Sequence, residues 1–218
     1  MMGLKIDINR DIKIMCLGAH CDDIEIGCGG TMLSILNKYR HAEVYWVVFS
    51  SDPMRENEAR SSADIFLESA DVKTIEVRNF RNGYFPYAGN EIKDYFENLK
   101  VKYSPDIIFT HYSKDFHQDH RIISELPWNT FRNNFILEYE IPKYDGDFGT
   151  PNFFVSLESY VCNTKVNTIL NCFKTQGDKH WLTEDLLYST LRIRGMECCS
   201  LTNYAEAFYC RKAIINIK

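Results

Sequence analysis

Apolar runs and amphipathic stretches alternate along most of this chain, and their periods assign the elements. Ile12, Ile14, Met15, Cys16 and Leu17 form a compact apolar run that reads as a strand covered on both faces. A polar turn follows, and then Met32 to Leu36 reads as a helical start with Thr31 as its cap. Gly27, Gly29 and Gly30 in between do not have the G-x-G-x-x-G spacing of a dinucleotide-binding loop, so they are expected to permit a tight backbone. Residues 44–49, rich in β-branched and aromatic side chains, predict a second buried strand. Residues 55–68, with Ala59, Ala63, Ile65, Phe66 and Leu67 set among charges, predict a helix, and 74–77 a short strand. Ile92, Tyr95, Phe96 and Leu99 recur at three- and four-residue steps and predict a helix over 91–101. Pro105 introduces a strand at 106–110, after which a helix is expected to begin near His117 and to end or kink at Pro127.

Beyond that point the pattern predicts a strand at 135–141, a loop over 143–152 without assigned chemistry, helices at 159–173 and 184–198, and a final strand at 208–217. No repeat, low-complexity tract or linker interrupts the chain. The β-α-β rhythm predicts an α/β, Rossmann-like three-layer fold with a mostly parallel central sheet in the order 3-2-1-4-5, and a single domain over residues 1–218.

Composition narrows the function classes. A chain of 218 residues with 45% hydrophobic and 25% charged residues is globular and not disordered. Its net charge of -5 argues against a nucleic-acid partner held by phosphate neutralisation. Eight cysteines lie at no zinc-ribbon spacing, and Cys198 and Cys199 are adjacent, which suits reduced thiols. Residues 1–7 carry charges where a signal peptide needs an apolar core, and no apolar run reaches membrane-spanning length. A cytoplasmic protein without a membrane span is expected.

Two polar concentrations carry the candidate chemistry, each at the exit of a predicted strand. The first holds His20, Asp22 and Asp23. His20 and Asp23 offer a nitrogen and an oxygen to a divalent cation and leave Asp22 as a base, although the same residue types also cap helices. The second holds His111, Asp115, His117, Asp119 and His120. In the 3-2-1-4-5 order these two strands are neighbours at the switch point, where ligands bind outside the carboxyl ends. Two histidines and one carboxylate leave open positions on a metal, as a catalytic site requires; zinc is the first choice, and Fe2+ suits the same set.

Arg55 after the second strand faces the same crevice and is a candidate clamp for a substrate phosphate or hydroxyl. Arg78 and Arg81 read as loop cations, His111 as a hydrogen-bonded structural histidine, and His41 and His180 as structural or surface residues. Spacing assigns no role to Gln176 or Glu206.

The sequence Gly18-Ala19-His20-Cys21-Asp22-Asp23, then Gly29-Gly30-Thr31, then Asp115-Phe116-His117-Gln118-Asp119-His120, resembles the PIG-L/LmbE family of zinc-dependent N-acetylglucosaminyl deacetylases. The resemblance runs from about Lys13 to the Tyr204–Phe208 segment. It implies an LmbE-like fold, with His20, Asp23 and His120 as metal ligands and Asp22 as general base. It also implies His117 beside the scissile carbonyl, oriented by Asp119, where in its protonated form it would stabilise the oxyanion and then protonate the leaving amine. One departure is Cys21, where the family's commonest motif has proline; the loop loses the fixed backbone angle that proline supplies.

The activity so implied is hydrolysis of the N-acetyl group of an amino sugar or its nucleotide, lipid or glycoside conjugate, releasing acetate and a free amine. The partner implied is thus a small acetamido-sugar, with a homo-oligomer left open. Two other readings compete: a metallophosphoesterase, because Asp115-Phe116-His117 has the D-x-H form, and a non-catalytic sugar-binding module on the same fold.

Overall fold

The computed structural model describes residues 11–39 and 41–214. The reading of residues 1–7, and the part of the last predicted strand beyond 214, lie outside the described residues. In chain order the elements are β1 (Ile12–Gly18), α1 (Asp23–Lys38), β2 (Ala42–Val48), α2 (Pro53–Phe66) and β3 (Val72–Val77), then α3 (Gly89–Lys102), β4 (Ile107–His111), α4 (Gln118–Thr130) and β5 (Phe135–Tyr139). They continue with β6 (Phe153–Leu157), α5 (Ser159–Cys172), α6 (Glu184–Glu197) and β7 (Tyr204–Tyr209).

The seven strands form one sheet in the order β3-β2-β1-β4-β5-β7-β6. β1 to β5 run parallel, in the 3-2-1-4-5 order the pattern predicts, and β7 and β6 extend the sheet antiparallel.

Alternation along the strands builds the layers. Ile12, Ile14 and Cys16 of β1, with Val44, Trp46 and Val48 of β2, pack on one face against α1, α2 and α5 through Ile24, Phe66 and Val166. Met15 and Leu17, with Tyr45 and Val47, pack on the other face against α3 and α4 through Phe96 and Ile123. Both faces are thus dry, which is why these strands read as continuous apolar runs. No helix among the described residues is long and apolar enough to cross a membrane.

Several boundaries differ from expectation, each for a physical reason. α1 starts at Asp23 and not at Thr31, because the Asp22 carbonyl already accepts the Ile26 amide. The glycines lie inside this helix and serve close packing: a Cβ on Gly27 would lie 2.1 Å from Cδ2 of Tyr139, and one on Gly29 2.6 Å from the Phe66 ring. The helix is also pinned by a buried ion pair. Lys165 Nζ donates to the Ile26 carbonyl and to Glu206 (2.6 Å each), while Glu206 accepts the Gly30 and Thr31 amides (2.8 and 2.6 Å). Glu206, for which spacing gave no role, therefore ties β7 and α5 to α1.

α4 continues through Pro127 to Thr130. Proline there leaves the Ile123 carbonyl without its helical donor, and the Thr110 hydroxyl of β4 supplies one at 2.8 Å. β6 escaped the pattern because it is a short edge strand with only Leu157 fully buried. The last strand ends at Tyr209, and it starts at Tyr204 because Ser156 and Leu157 of β6 pair with Ala205 and Tyr204.

Candidate metal centre and active site

The exits of β1 and β4 are fastened together by one hydrogen bond, from the Ala19 amide to Nε2 of His111 (3.0 Å). This brings the two polar concentrations into one buried group. The His20 amide donates to Oδ2 of Asp23 (2.6 Å), so the turn folds its own carboxylate back toward the His20 ring. Nδ1 of His20 then lies 3.3 Å from that Oδ2 and 3.2 Å from Nε2 of His120, and Asp23 Oδ1 lies 3.6 Å from the same His120 nitrogen.

The far nitrogen of each ring fixes its tautomer. His120 presents Nδ1 to Asp115 at 2.9 Å, and His20 presents Nε2 to Asp119 at 3.3 Å. With a proton on each carboxylate-facing nitrogen, the His20 Nδ1 and His120 Nε2 lone pairs point at one another, with the Asp23 carboxylate alongside. That apposition is repulsive unless a positive charge lies between them. Burial opposes charge on His20, but Asp23, Asp119 and Asp22 outweigh it and push the ring up to about 10. Burial and the neighbouring His111 pull His120 down to about 3, which leaves its nitrogen a neutral donor atom. Although burial would raise Asp23, the His120, His111 and His20 rings hold it well below the carboxylate range. Two imidazole nitrogens and a carboxylate, the atom types of His20, His120 and Asp23, are those that a divalent cation takes. His117 joins His20 and His120 in one group of convergent ligand atoms, and His111 joins Asp23 and His120 in another.

Asp22 sits beside this set without entering it. Its Oδ1 meets Nη2 of Arg55 at 3.3 Å, while its Oδ2 is buried without a hydrogen-bond partner. Burial and the adjacent Asp23 raise its proton affinity, and Arg55 opposes them. Such a carboxylate is shaped to take up a proton. Arg55 thus gives one nitrogen to Asp22, while its Nε is buried without a hydrogen-bond partner; its side chain is 17% exposed.

The pairing of His117 with the Asp119 carboxylate is corrected by the geometry. Asp119 receives the Gly83 amide on Oδ2 (2.6 Å) and the Phe85 amide on Oδ1 (3.1 Å), and faces His20. Only its backbone amide reaches His117, donating to Nδ1 at 3.2 Å from the position where His117 caps α4. Accepting there leaves the proton on Nε2. Burial and the His20 charge lower the His117 pKa, outweighing Asp119, so the ring favours the neutral form. It stands 4.9 Å from the His20 ring and 4.6 Å from the His120 ring, between centroids.

Sequence reasoning undervalued three residues. His111 is fully buried, its ring stacked on His120 at 3.9 Å, with Nε2 3.2 Å from Asp23 Oδ2; its place as the last residue of β4, at the switch point, was the available signal. Asp115 holds His120, accepts the His117 amide (2.8 Å), and bonds Nζ of Lys143 (2.9 Å). Lys143 comes from the loop after β5, to which no chemistry was assigned, and nothing in local sequence marks it.

The remaining candidates lie apart. Cys21 donates its thiol to the Ser50 carbonyl (3.4 Å) and belongs to neither group of convergent ligand atoms. Arg78 and Arg81 lie over the rings of Tyr95 and Tyr84, and Gln176 bonds Thr175 at the surface.

Among solved structures, the chain is similar to N,N'-diacetylchitobiose deacetylase from Pyrococcus horikoshii, at 23% identity and a TM-score of 0.70, covering 90% of this chain and 82% of that one. It is also similar to the zinc-inhibited form of teicoplanin deacetylase Orf2, at 12% identity and a TM-score of 0.68, covering 90% and 97%. The 4-carboxy-2-hydroxymuconate hydratase GalB of Pseudomonas putida KT2440 shares the fold as well, at 15% identity and a TM-score of 0.70, covering 95% and 99%. Fold likeness at these identities therefore does not choose a reaction. The sequence pattern of the GlcNAc-PI de-N-acetylase family, PIG-L, matches residues 15–131, which span both polar concentrations and more than half of the chain. The chain belongs to the PIG-L family.

Proposed function

We propose that this protein is a metal-dependent hydrolase that removes the N-acetyl group from an amino sugar or its conjugate, releasing acetate and a free amine. The observation that carries the reading is the apposition of His20 Nδ1 and His120 Nε2 at 3.2 Å beside Asp23, with the unpartnered Oδ2 of Asp22 next to them. Family membership and deacetylase relatives of the same fold support it.

In this reading His20, Asp23 and His120 hold the cation, with zinc first and Fe2+ second. When bound, such a cation supplies Lewis-acid polarisation of an amide carbonyl and lowers the pKa of water. Asp22 takes the proton from the attacking water on its free oxygen, while Arg55 holds the other. His117, neutral and protonated on Nε2, donates a hydrogen bond to the oxygen that gains charge. The leaving amine then receives the proton gathered on Asp22.

The test is to incubate metal-replete protein with acetylated amino sugars and their conjugates and to measure acetate and the mass of the product. Loss of an acetyl mass with stoichiometric acetate is expected. Phosphate release from phosphoesters without acetate would move the protein to the phosphoesterase class, and saccharide binding without turnover to a binding module.

A further inference from the structure

A cavity of about 260 Å³ lies between the loop after β5 and the segment before α6. Tyr144, Phe148 and Trp181 supply its aromatic walls, and Lys143, Asp147 and His180 its polar groups. We propose that it is a binding site for a small alkylated ammonium ion, separate from the metal centre and independent of the reaction proposed there.

The cavity stands behind the metal centre. Lys143 Nζ on its wall contacts Asp115 Oδ2 at 2.9 Å, and that oxygen meets Nδ1 of His120 at 2.9 Å. The nitrogen of His120 that faces His20 is the other one, Nε2. A molecule in the cavity is therefore on the far side of His120 from the convergent ligand atoms.

Charge selects the class of ligand. The two lining segments, residues 142–148 and 180–186, carry one lysine, Lys143, against four carboxylates, Asp145, Asp147, Glu184 and Asp185. Lys143 is already held between Asp115 and Asp147. Asp145, Glu184 and Asp185 are exposed and enter no ion pair among the described residues. Just outside the segments Asp178 and Lys179 offset one another, and Arg194 is paired with Glu140 and Glu197. The excess of negative charge around the aromatic walls attracts a cation and repels a phosphate or carboxylate.

The walls decide which cation. Asp147 already accepts from Lys143 and from the Phe116 amide, so the lining suits a cation that needs no hydrogen-bond acceptor. An alkylated ammonium ion is such a cation, and aromatic faces attract it through their ring quadrupoles. Phe148 already has a cation over its ring, the Arg194 guanidinium carbon at 5.6 Å from the centroid, which leaves Tyr144 and Trp181 for a ligand. Trp181 packs on the core beneath, and Tyr144, 71% exposed, is the ring on the solvent side. The volume falls just below the roughly 300–1,000 Å³ of pockets that enclose drug-sized molecules, so it takes an alkylated ammonium head with a short tail.

The test is calorimetric titration of choline into the purified protein at low salt, in the parent, Tyr144→Phe, Tyr144→Leu and a Glu184→Gln, Asp185→Asn double variant. All three positions are exposed, so folding is not at stake. Saturable millimolar binding is expected in the parent and in Tyr144→Phe, with a loss of about two- to fivefold in Tyr144→Leu, which keeps apolar bulk but has no aromatic face. The double variant should also bind more weakly, and more so at low salt than at high. The neutral isostere of choline, with carbon in place of the ammonium nitrogen, should bind less tightly than choline, and phosphocholine, which adds an anion, likewise. No saturable binding of choline, an isostere that binds as tightly, phosphocholine binding more tightly, or a Tyr144→Leu variant equal to the parent would each overturn the site. None of these readouts involves acetate or metal, so the deacetylase reading stands or falls separately.

Discussion

Asp115→Asn is the substitution that most directly tests how the site is held. The parent carboxylate accepts three hydrogen bonds: His120 Nδ1 and Lys143 Nζ on Oδ2, both at 2.9 Å, and the His117 amide on Oδ1 at 2.8 Å. All three partners are donors. An asparagine of the same shape has one acceptor oxygen and one amide donor, so whichever way it turns, a donor faces a donor. With its oxygen toward His117, its amide group pushes the His120 proton from Nδ1 to Nε2, the nitrogen that faces His20. With its oxygen toward His120, the His117 amide is opposed and the cap of α4 shifts. Replacing a partner that orients a metal-bound histidine typically costs about 10- to 100-fold in affinity, or about 1.4 to 2.7 kcal/mol. Zinc affinity measured by competition with a chromogenic chelator should fall within that range or below it, while Lys143→Met, which removes one of the three donors, should lose less. An Asp115→Asn protein that binds zinc within threefold of the parent, with unchanged thermal stability, would refute the tautomer argument.

Three further outcomes follow from the same contacts. Asp22→Asn should keep its metal, measured by elemental analysis, and lose roughly 100- to 10,000-fold in turnover, the contribution of a positioned general base; full activity in a metal-replete variant removes Asp22 from that role. Gly27→Ala should lower thermal stability by about 1–3 kcal/mol, because overpacking against the Tyr139 ring exceeds the roughly 1 kcal/mol that alanine gains in a helix; an unchanged or raised Tm would show that the ring yields freely. Burial opposes ionisation of Glu76, but hydrogen bonds from Lys102, Tyr103 and Tyr95 outweigh it and hold the carboxyl down at about 2. A folded pKa below the unfolded value of 4.5 gives stability that is present above about pH 4.5 and lost as pH falls toward 2. Denaturant titrations of Glu76→Gln should show a flatter pH dependence across that window than the parent, and an identical slope would exclude this contribution.

The parts of the fold that were legible in sequence are those in which local pattern and tertiary setting agree. β1 and β2 are dry on both faces, so their apolar runs needed no further context. Three glycines in four residues, by contrast, read as punctuation, whereas α1 admits them because Tyr139, Phe66 and Leu157 come too close for any side chain. The information that makes α1 a helix from Asp23 onward lies in residues of α2, β5 and β6, far along the chain. Pro127 is the same case: its effect on α4 depends on the Thr110 hydroxyl, which a helix-local rule does not see.

A similar division runs through the candidate site. That His20 and Asp23 meet His117 and His120 followed from two strand exits and a parallel sheet order, because topology alone brings the ends of β1 and β4 together. Which carboxylate serves which ring did not follow. Asp119 lies two residues from His117 in sequence, yet its oxygens are claimed by amides of Gly83 and Phe85, 36 and 34 residues away, and the remaining direction points at His20. The consequence is chemical. An imidazole backed by a carboxylate is drawn toward the charged form, whereas His117, backed by a peptide N–H, is left with a free Nε2–H and a lowered proton affinity. In the proposed deacetylation it would hydrogen-bond the developing oxyanion without first acquiring a proton, and the leaving amine would take its proton from Asp22, whose Oδ2 is buried without a partner. On that proposal acid and base duties converge on Asp22, with His117 as an electrophilic donor beside it.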